Sequence, residues 1–262
     1  MADLHLIGKL TRQPQGYVEL RDEFMPFVAA FVSGDISYDG ESYSVLTKSS
    51  NQNLAVSSLG LGIRTYNDTT PINVYLSQAV PFNDWGFVFV GQRISSTTYD
   101  AAASFNGPVP TDQYYEISTD TGSLLFGQSV GIAVTADNVT DRTPSYGAYV
   151  GTFSSRENSA IFFVDGALKK ETTQPSVSAS LNSITVGSRS GESNRCWRGV
   201  SPLIVVLKKY DRIIAQRLSE NPWQIFKPRK RVLYFDVSSS FPVLSSLSVS
   251  NITSSGGRLT AN

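Results

Sequence analysis

Cysteine and histidine are nearly absent from this sequence, which contains one of each, Cys196 and His5. A single cysteine excludes an internal disulfide and any cysteine-rich metal site. Nucleophilic catalysis through a Ser/His/Asp or Cys/His arrangement needs a histidine held by a third group in a packed interior, and His5 lies near the start of the chain. We therefore interpret His5 as a strand-edge or interface residue and predict that the protein is not an enzyme of this kind.

Charge and long apolar runs are also scarce. Charged residues make up 17% of the chain, and its 22 basic and 22 acidic side chains cancel. No global basic field would attract nucleic acid or anionic lipid, so we expect neither as a partner. No apolar run approaches the ~18–20 residues that span a bilayer, and MADLHLIGKLTRQPQ lacks the apolar centre of a secretion signal. We expect a chain made soluble in a cytoplasm, without membrane insertion.

What the sequence does contain is serine, threonine, glycine, asparagine and aromatic residues, a composition typical of short strands joined by polar turns. All-β sandwiches commonly reach this chain length of 262 residues as one domain. We therefore predict an N-terminal arm at residues 1–20, a sandwich domain at 21–237 and a C-terminal arm or extended tail at 238–262.

The stretch from Gly147 to Glu171 carries the clearest pattern. A strand at 148–153 is followed by the polar run 154–159, the apolar strand AIFFV, the dipeptide Asp165–Gly166 and a returning strand. Asp–Gly favours the positive φ pair of a type I′ turn. Because AIFFV is apolar at every position, we predict that it lies between two layers.

Further strands and one helix follow from the same criteria. Residues 95–112 are low in apolar side chains and are predicted to form a surface loop, whereas FMPFVAAFV is ambiguous between a strand and a buried helix. In residues 211–226, Ile214 and Leu218 lie four apart before Asn221–Pro222, which predicts one short helix. The other predicted strands are 72–76, 85–94, 182–187, 200–208, 231–237, a hairpin at 114–119 and 123–127, and a strand or extended arm at 245–253.

Several motifs match a known family. GAYVGTF followed by FVDG resembles the corresponding strands of laminin G-like, concanavalin A-like jelly rolls. The later ITVGSR and WRGVSPLIVVL, with a short helix after them, are similar to the closing elements of the same family. The resemblance covers roughly residues 50–235. It implies an all-β fold: a two-sheet antiparallel jelly-roll sandwich with one short C-terminal helix.

Two terminal motifs, LIGKLTRQPQ and LSENPWQIFKP, resemble segments of virion proteins of tailed bacteriophages. This resemblance implies a non-enzymatic structural protein located in the virion. Its function would be attachment to a host-surface glycan from the tail tip or fibre, or decoration of the head. Polar arms can add strands to the sheet edge of a neighbour, so we expect contacts with other virion proteins through 1–20 and 238–262, and a homo-oligomer.

Sugar binding in this fold uses aromatic platforms, and the loop aromatics are the better candidates: Tyr99, Phe105, Tyr114, Tyr115 and Tyr146. Residues 95–145 match no known motif, so specificity is expected there. Surface tyrosines without a ligand are the competing interpretation. The three tryptophans, Trp85, Trp197 and Trp223, are predicted to pack internally.

Calcium is a candidate cofactor because relatives of this fold often hold one between loops, and it prefers six to eight oxygen ligands. Asp137, Asn138 and Asp141 supply such oxygens in one loop, with Glu192 and Asn194 in another. Polar loops facing water are the alternative interpretation. No other cofactor is indicated.

Three further groups of residues are interpreted as structural. Asp165 is expected to hydrogen-bond within its turn, and Glu19, Asp22 and Glu23 to form a solvated turn, since no paired-carboxylate motif of a glycosidase is present. The basic run KPRKR at 227–231 is expected to be a solvated connection. The rival functions are a free carbohydrate-binding module, a polysaccharide-degrading enzyme, and a cement protein without a ligand.

Overall fold

A computed structural model describes residues 19–46, 53–57, 60–65, 72–93, 100–107, 114–120, 123–128, 146–173, 179–188, 197–227, 247–253 and 256–261. The chain divides into two compact units, residues 1–228 and 229–262. The first contains two antiparallel sheets, and the second contains a hairpin of β16 (Leu247–Thr253) and β17 (Gly256–Ala261). The hairpin confirms a strand within 245–253, while the predicted strand at 231–237 lies outside the described residues.

The large sheet has ten strands, and eight of them run in the order β13-β12-β11-β7-β15-β1-β2-β3, with β5 pairing to both β15 and β4. Its strands are β1 (Val28–Ser33), β2 (Ile36–Tyr38), β3 (Tyr43–Val45), β4 (Asn53–Ser57), β5 (Gly60–Thr65), β7 (Asp84–Arg93), β11 (Tyr146–Ser154), β12 (Ser159–Val164), β13 (Ala167–Thr172) and β15 (Gly199–Leu207).

The small sheet has five strands in the order β10-β9-β8-β14-β6. Its strands are β6 (Ile72–Pro81), β8 (Asp100–Asn106), β9 (Tyr114–Asp120), β10 (Ser123–Gln128) and β14 (Ser180–Val186). The strand order of the large sheet thus ends at β13 and β3, and that of the small sheet at β10 and β6. The predicted hairpin around 120–122 is confirmed by the pairing of β9 with β10.

The inner core lies between the sheets and is dominated by aromatic rings. Trp85 is fully buried and stacks on Phe153 with ring centroids 5.0 Å apart. Phe87 stacks on Phe105 of the small sheet at 5.1 Å. Burying rings of this size removes 150–250 Å² of surface each, which makes them the main apolar contribution to joining the two layers.

A second apolar cluster, the outer cluster, covers the opposite face of the large sheet. The helix α1 (Arg212–Glu220) places Ala215 and Leu218 against it, and the following 3₁₀ turn adds Trp223. Ile161 and Phe163 of β12 belong to the outer cluster, whereas Phe162 belongs to the inner core. This confirms that AIFFV lies between two layers.

The helix begins where the side chain of Asp211 accepts a hydrogen bond from the backbone N–H of Ile214, at 2.9 Å. The Asp211 N–H in turn donates to Thr152 Oγ1 on β11, at 3.1 Å. The start of the helix is thus bonded to the sheet that it covers. Among the described residues, no helix combines the length and apolarity that crossing a membrane would require.

The predicted type I′ geometry is confirmed at Asp165 (φ 49°) and Gly166 (φ 83°). Oδ1 of Asp165 accepts a hydrogen bond from the Ala148 N–H on the neighbouring strand, at 2.8 Å. The carboxylate is structural, as predicted, but this bond joins the turn to β11 and does not lie within the turn.

The prediction of a surface loop over residues 95–112 is wrong for the part that the structure describes. Residues 100–106 form β8 inside the small sheet, flanked by β9 and β14. Ala101, Ala102 and Ala103 are buried, and Ala102 and Ala103 belong to the inner core. Small side chains give a weak apolar pattern in sequence, yet they allow close approach between two sheets packed face to face.

The first described residues, 19–22, are bonded to the residues that follow the helix. Leu20 is buried in the outer cluster and bridges to Phe226, and the Lys227 N–H donates to the Glu19 carbonyl at 2.7 Å. Lys227 Nζ also bonds Glu19 Oε1 at 2.8 Å and Asp22 Oδ1 at 3.1 Å. These carboxylates form an exposed ion-pair group, in agreement with the interpretation of a solvated turn.

Candidate functional site

A groove of about 310 Å³ opens between the β2–β3 hairpin of the large sheet and strand β6 of the small sheet. We call it the β3–β6 groove. Leu46, Ile72 and Val74 give it apolar walls and also belong to the inner core. Its remaining lining residues are mostly polar: Ser37, Asp39, Ser42, Ser44, Val45, Asn73 and Tyr75.

One wall of the groove is a tight turn built around Asp39. Its Oδ1 accepts hydrogen bonds from the backbone N–H groups of Glu41 (2.9 Å) and Ser42 (2.8 Å). Its Oδ2 accepts a third from Ser42 Oγ at 3.1 Å. A side chain that bonds backbone two and three residues ahead replaces a backbone turn and fixes its shape.

The same turn is fastened to the opposite wall. The Ser77 N–H of β6 donates to the Asp39 carbonyl at 2.9 Å, which links the hairpin to the small sheet. Gly40 lies beside this link with φ +112°, and a Cβ there would be 2.6 Å from Ser77 Oγ and 3.0 Å from the Ala29 carbonyl. A larger residue at position 40 would therefore strain the backbone at this positive φ and displace the Ser77 hydroxyl.

Electrostatics keep the turn in one protonation state near neutral pH. Hydrogen bonds from the backbone N–H groups of Ser42 and Glu41 lower the pKa of Asp39 below 3.8, so it is a carboxylate. Burial raises the pKa of Tyr38, and the charges of Asp39 and Glu41 raise it further. The Tyr38 phenol thus stays protonated and donates to the Gly40 carbonyl at 2.6 Å.

The β6 wall presents an oriented amide. Buried Asn106 donates through Nδ2 to Thr185 Oγ1 at 2.8 Å, and the Thr185 hydroxyl donates to Asn73 Oδ1 at 2.7 Å. Such a chain of hydrogen bonds fixes the direction of each member. Oδ1 of Asn73, a lining residue of the groove, is the acceptor in this series of bonds, and its Nδ2 donor takes no part in it.

Tyr75 is the aromatic residue of the groove and is 71% exposed. Val45, another lining residue, is 69% exposed. Single exposed apolar residues are common on protein surfaces, whereas two at one site indicate a binding surface. The groove therefore combines an apolar platform, a carboxylate acceptor, an amide donor and serine hydroxyls.

The residues predicted for sugar binding are placed differently from the expectation. Phe105 is fully buried in the inner core, 5.4 Å from Trp85 and 5.1 Å from Phe87, so the prediction that its ring serves as a binding platform is wrong. Alternation along β8 directs it inward. Tyr114 and Tyr115 are backbone positions of β9 and Tyr146 begins β11, in different sheets. The side chains of these three tyrosines, and all of Tyr99, lie outside the described part.

The calcium prediction falls on residues that the structure does not describe: Asp137, Asn138, Asp141, Glu192 and Asn194. Calcium binding there stays a prediction. Within the described ranges, no three His, Cys, Asp or Glu side chains are grouped as a metal site would need. Trp85, Trp197 and Trp223 are all buried, which confirms that the tryptophans pack internally.

Tyr75 was not among the predicted site residues, although the sequence carried a pattern for it. In the strand INVYL, Ile72 and Val74 alternate with Asn73 and Tyr75. A period of two directs Asn73 and Tyr75 away from the core. What the alternation does not show is the β2–β3 hairpin that faces them.

No protein-family model matches the sequence, and no curated protein does. Solved structures are similar in fold. One is domain 4 of AbnA, a GH43 extracellular arabinanase from Geobacillus stearothermophilus, solved in complex with arabinotriose. It has a TM-score of 0.57 and 9% identity, over 73% of this chain and 98% of that one.

Two further similar structures are binding domains of toxins. The receptor binding domain of botulinum neurotoxin type G has a TM-score of 0.57 and 11% identity, over 76% of this chain and 51% of that one. The binding domain of Paraclostridial Mosquitocidal Protein 1 has a TM-score of 0.56 and 12% identity, over 74% and 51%. The chain thus spans about half the length of these two.

These similarities establish the fold as a concanavalin A-like jelly-roll sandwich, with one short C-terminal helix in the part of the chain that the structure describes. This confirms the predicted fold class. At 9–12% identity they establish nothing beyond the fold, so the function has to be argued from the groove.

Proposed function

We propose that this chain is a non-enzymatic carbohydrate-binding component of a tailed-phage virion, used to attach the particle to a host-surface glycan through the β3–β6 groove. The observation that carries the binding proposal is Tyr75, 71% exposed beside Asp39 and Asn73. A tyrosine offers a large apolar face at low conformational-entropy cost. The hydroxyl groups of a saccharide both donate and accept hydrogen bonds. They can therefore bond an amide donor and a carboxylate acceptor in the same groove.

The size of the groove suits a short saccharide. Small-molecule sites commonly measure about 300–1,000 Å³, and this groove is about 310 Å³. The similar structures add support of a general kind, because one of them was solved with arabinotriose bound and another is a receptor binding domain.

The absence of catalysis is proposed on the chemistry of the described lining. Hydrolysis of a glycosidic bond ordinarily uses two carboxyl groups, one of them an acid with a raised pKa. Among the described lining residues Asp39 is the one carboxylate, and its pKa is lowered. A group in this state accepts a hydrogen bond but is a poor general acid.

The binding proposal is tested with the full-length chain on a printed glycan array, followed by calorimetry on the saccharide that binds best. We expect Tyr75→Ala to weaken binding at least about tenfold, which equals about 1.4 kcal/mol. Tyr75→Phe keeps the ring and should stay within about threefold. Because Tyr75 is exposed, neither variant should change the free energy of unfolding by more than about 0.5 kcal/mol.

Two outcomes would contradict the proposal. The first is that no saccharide on the array binds, which would leave cement without a ligand as the better account. The second is that Tyr75→Ala binds as well as the wild type, which would place the site elsewhere. Release of reducing sugar from a bound polysaccharide would overturn the non-enzymatic part.

The virion location rests on the terminal motifs LIGKLTRQPQ and LSENPWQIFKP. The arms 1–20 and 238–262 are proposed to contact other virion proteins and further copies of the chain, and a deletion of residues 1–18 and 238–262 tests this. Residues 19 and 20 are kept out of the deletion because Leu20 packs in the outer cluster. We expect deletion of both segments to leave glycan binding intact and to prevent incorporation into particles. Normal incorporation of the deleted chain would contradict this part, and electron microscopy of labelled particles would separate tail from head.

A further inference from the structure

We infer that the β3–β6 groove selects neutral, hydroxyl-rich saccharides and rejects acidic ones, with Asp39 as the residue that determines this selectivity. The inference rests on the proposed function and goes beyond it by naming the ligand class. It begins from the charges of the lining. Among the described lining residues Asp39 alone is ionised, and none is a lysine, arginine or histidine.

An acidic sugar would therefore meet a fixed negative charge without a compensating cation on these walls. Carboxylate and sulfate groups are ordinarily recognised by arginine or lysine, often through two parallel hydrogen bonds. Burying one beside Asp39 would instead bring two like charges together in a partly desolvated site. Glu41, in the same turn, adds to the negative field at Tyr38 and has the same sign.

A neutral saccharide would find a usable acceptor at the same position. A carboxylate has about four lone-pair sites, and three hydrogen bonds from Glu41 and Ser42 reach Asp39, two of them at Oδ1 and one at Oδ2. Oδ2 accepts the bond from Ser42 Oγ, whereas Oδ1 accepts two, so Oδ2 is the oxygen with more room for a sugar hydroxyl. Hydrogen bonds to a charged acceptor are shorter and stronger than those to a neutral one.

The turn makes this arrangement rigid. Three hydrogen bonds from Glu41 and Ser42 hold the Asp39 carboxylate in one direction. The backbone carbonyl of Asp39 accepts a bond from Ser77 of β6, which fixes the turn that carries it. Across the groove, the amide of Asn73 is oriented by Thr185. An acceptor on one wall and a donor on the other are suited to two hydroxyl groups of one sugar.

The test uses a glycan array that carries neutral glycans together with counterparts extended by sialic acid, uronic acid or sulfate. We expect the full-length wild type to bind neutral members at least about tenfold more tightly than their acidic counterparts. Asp39→Asn retains an oxygen for the turn but loses the charge. It should bring the acidic counterparts to within about threefold of the neutral ones and weaken neutral binding moderately.

Glu41→Gln is the matched control, because it removes one negative charge from the same turn without altering a groove-lining residue. It should leave the ratio of neutral to acidic affinity within about twofold of wild type.

If Glu41→Gln lowers this ratio as much as Asp39→Asn does, the proposed role of Asp39 is wrong. If the wild type prefers acidic glycans, the inference is overturned while the proposed function stands. If nothing binds, both fail. Thermal unfolding of each variant shows that the fold is retained.

Discussion

Asp39 joins the shape of a turn to the chemistry of a binding site. Its carboxylate accepts three hydrogen bonds from Glu41 and Ser42, and its carbonyl accepts one from Ser77 of the facing sheet. The same group that positions the hairpin is therefore the fixed charge of the β3–β6 groove. The shape of the turn and the proposed selectivity for neutral saccharides therefore both depend on the Asp39 side chain.

The first prediction concerns pH. The pKa of Asp39 is below 3.8 because Ser42 and then Glu41 donate backbone hydrogen bonds to it. A lowered folded-state pKa gives stability that is present above the unfolded value and is lost as pH falls through the folded value. We expect affinity for a neutral saccharide to be constant from about pH 5 to 8. It should fall only in strong acid, because the pKa of the Asp39 carboxyl is lowered and the carboxylate acceptor is lost only when it is protonated.

Calorimetry across this range is the measurement, with Asp39→Asn as the comparison. The other titratable groups near the carboxylate are Tyr38 and Glu41 on the same turn and Tyr75 across the groove. Glu41→Gln separates the contribution of Glu41. A decline in affinity that persists unchanged in Asp39→Asn would show that another group is responsible.

The second prediction concerns the buried amide chain. Thr185→Val keeps the shape of the side chain but removes the hydroxyl between Asn106 and Asn73. Leaving the buried Asn106 donor poorly partnered should destabilise the fold by about 1–3 kcal/mol. Affinity for saccharide should also fall, because Asn73 loses the bond that orients it.

Thr185→Ser is the control for this prediction, since it retains the hydroxyl and loses one methyl group. Its saccharide affinity should match the wild type. Denaturant unfolding and calorimetry together provide the measurement. Equal affinities for Thr185→Val and Thr185→Ser would mean that the chain of hydrogen bonds does not position Asn73.

At the scale of elements, α1 and the 3₁₀ turn explain why several strands lack the alternation of apolar and polar residues. Central strands of the large sheet are apolar on both faces because the helix covers the side that would otherwise meet water. Phe163 and Val205 pack in the outer cluster with Leu218. The short helix near the end of the sandwich therefore completes the fold as a third layer over part of the sheet.

The third prediction tests this cover. Asp211→Ala removes the side chain that accepts a hydrogen bond from the Ile214 N–H and should destabilise the protein by about 0.5–2 kcal/mol. Asp211→Ser keeps a capping oxygen and should be close to wild type. Hydrogen exchange should show faster exchange in α1 for the alanine variant. An unchanged free energy of unfolding would mean that the cap does not hold the helix in place.

The small sheet shows how a weak pattern hides an element. The sequence DAAASFN suggested a loop, yet it forms β8 between β9 and β14. Three alanines and a serine offer little apolar area in sequence, and their stabilising contribution arises when two other strands and a facing sheet surround them. For the same reason Phe105 was assigned to a surface on which it does not lie.

At the scale of the whole molecule, we expect the inner core to determine stability and the groove to determine binding, through different residues. The fourth prediction is that Phe105→Ala destabilises the sandwich by about 3–5 kcal/mol, as expected for a large buried ring. Phe105→Leu should cost less because it leaves a smaller cavity. Once unfolding is accounted for, the saccharide affinity of the folded fraction should be unchanged.

This result would contrast with Tyr75→Ala, which should affect affinity and leave stability almost unchanged. Denaturant titration followed by calorimetry at a temperature where each variant is folded gives the comparison. A marked loss of affinity in folded Phe105→Ala would mean that the core transmits strain to the groove.

The sequence by itself determined the fold class, the Asp165–Gly166 hairpin, most strands and the short helix. Apolar periodicity and turn chemistry are local, and they are written in adjacent residues. The tertiary structure decided that Phe105 is buried and that Asp39, Asn73 and Tyr75 share one groove. These three residues come from two sheets whose edge strands, β3 and β6, meet only when the layers pack. The residue spacing within β3 or within β6 does not predict this contact, because the contact depends on how the whole sandwich packs.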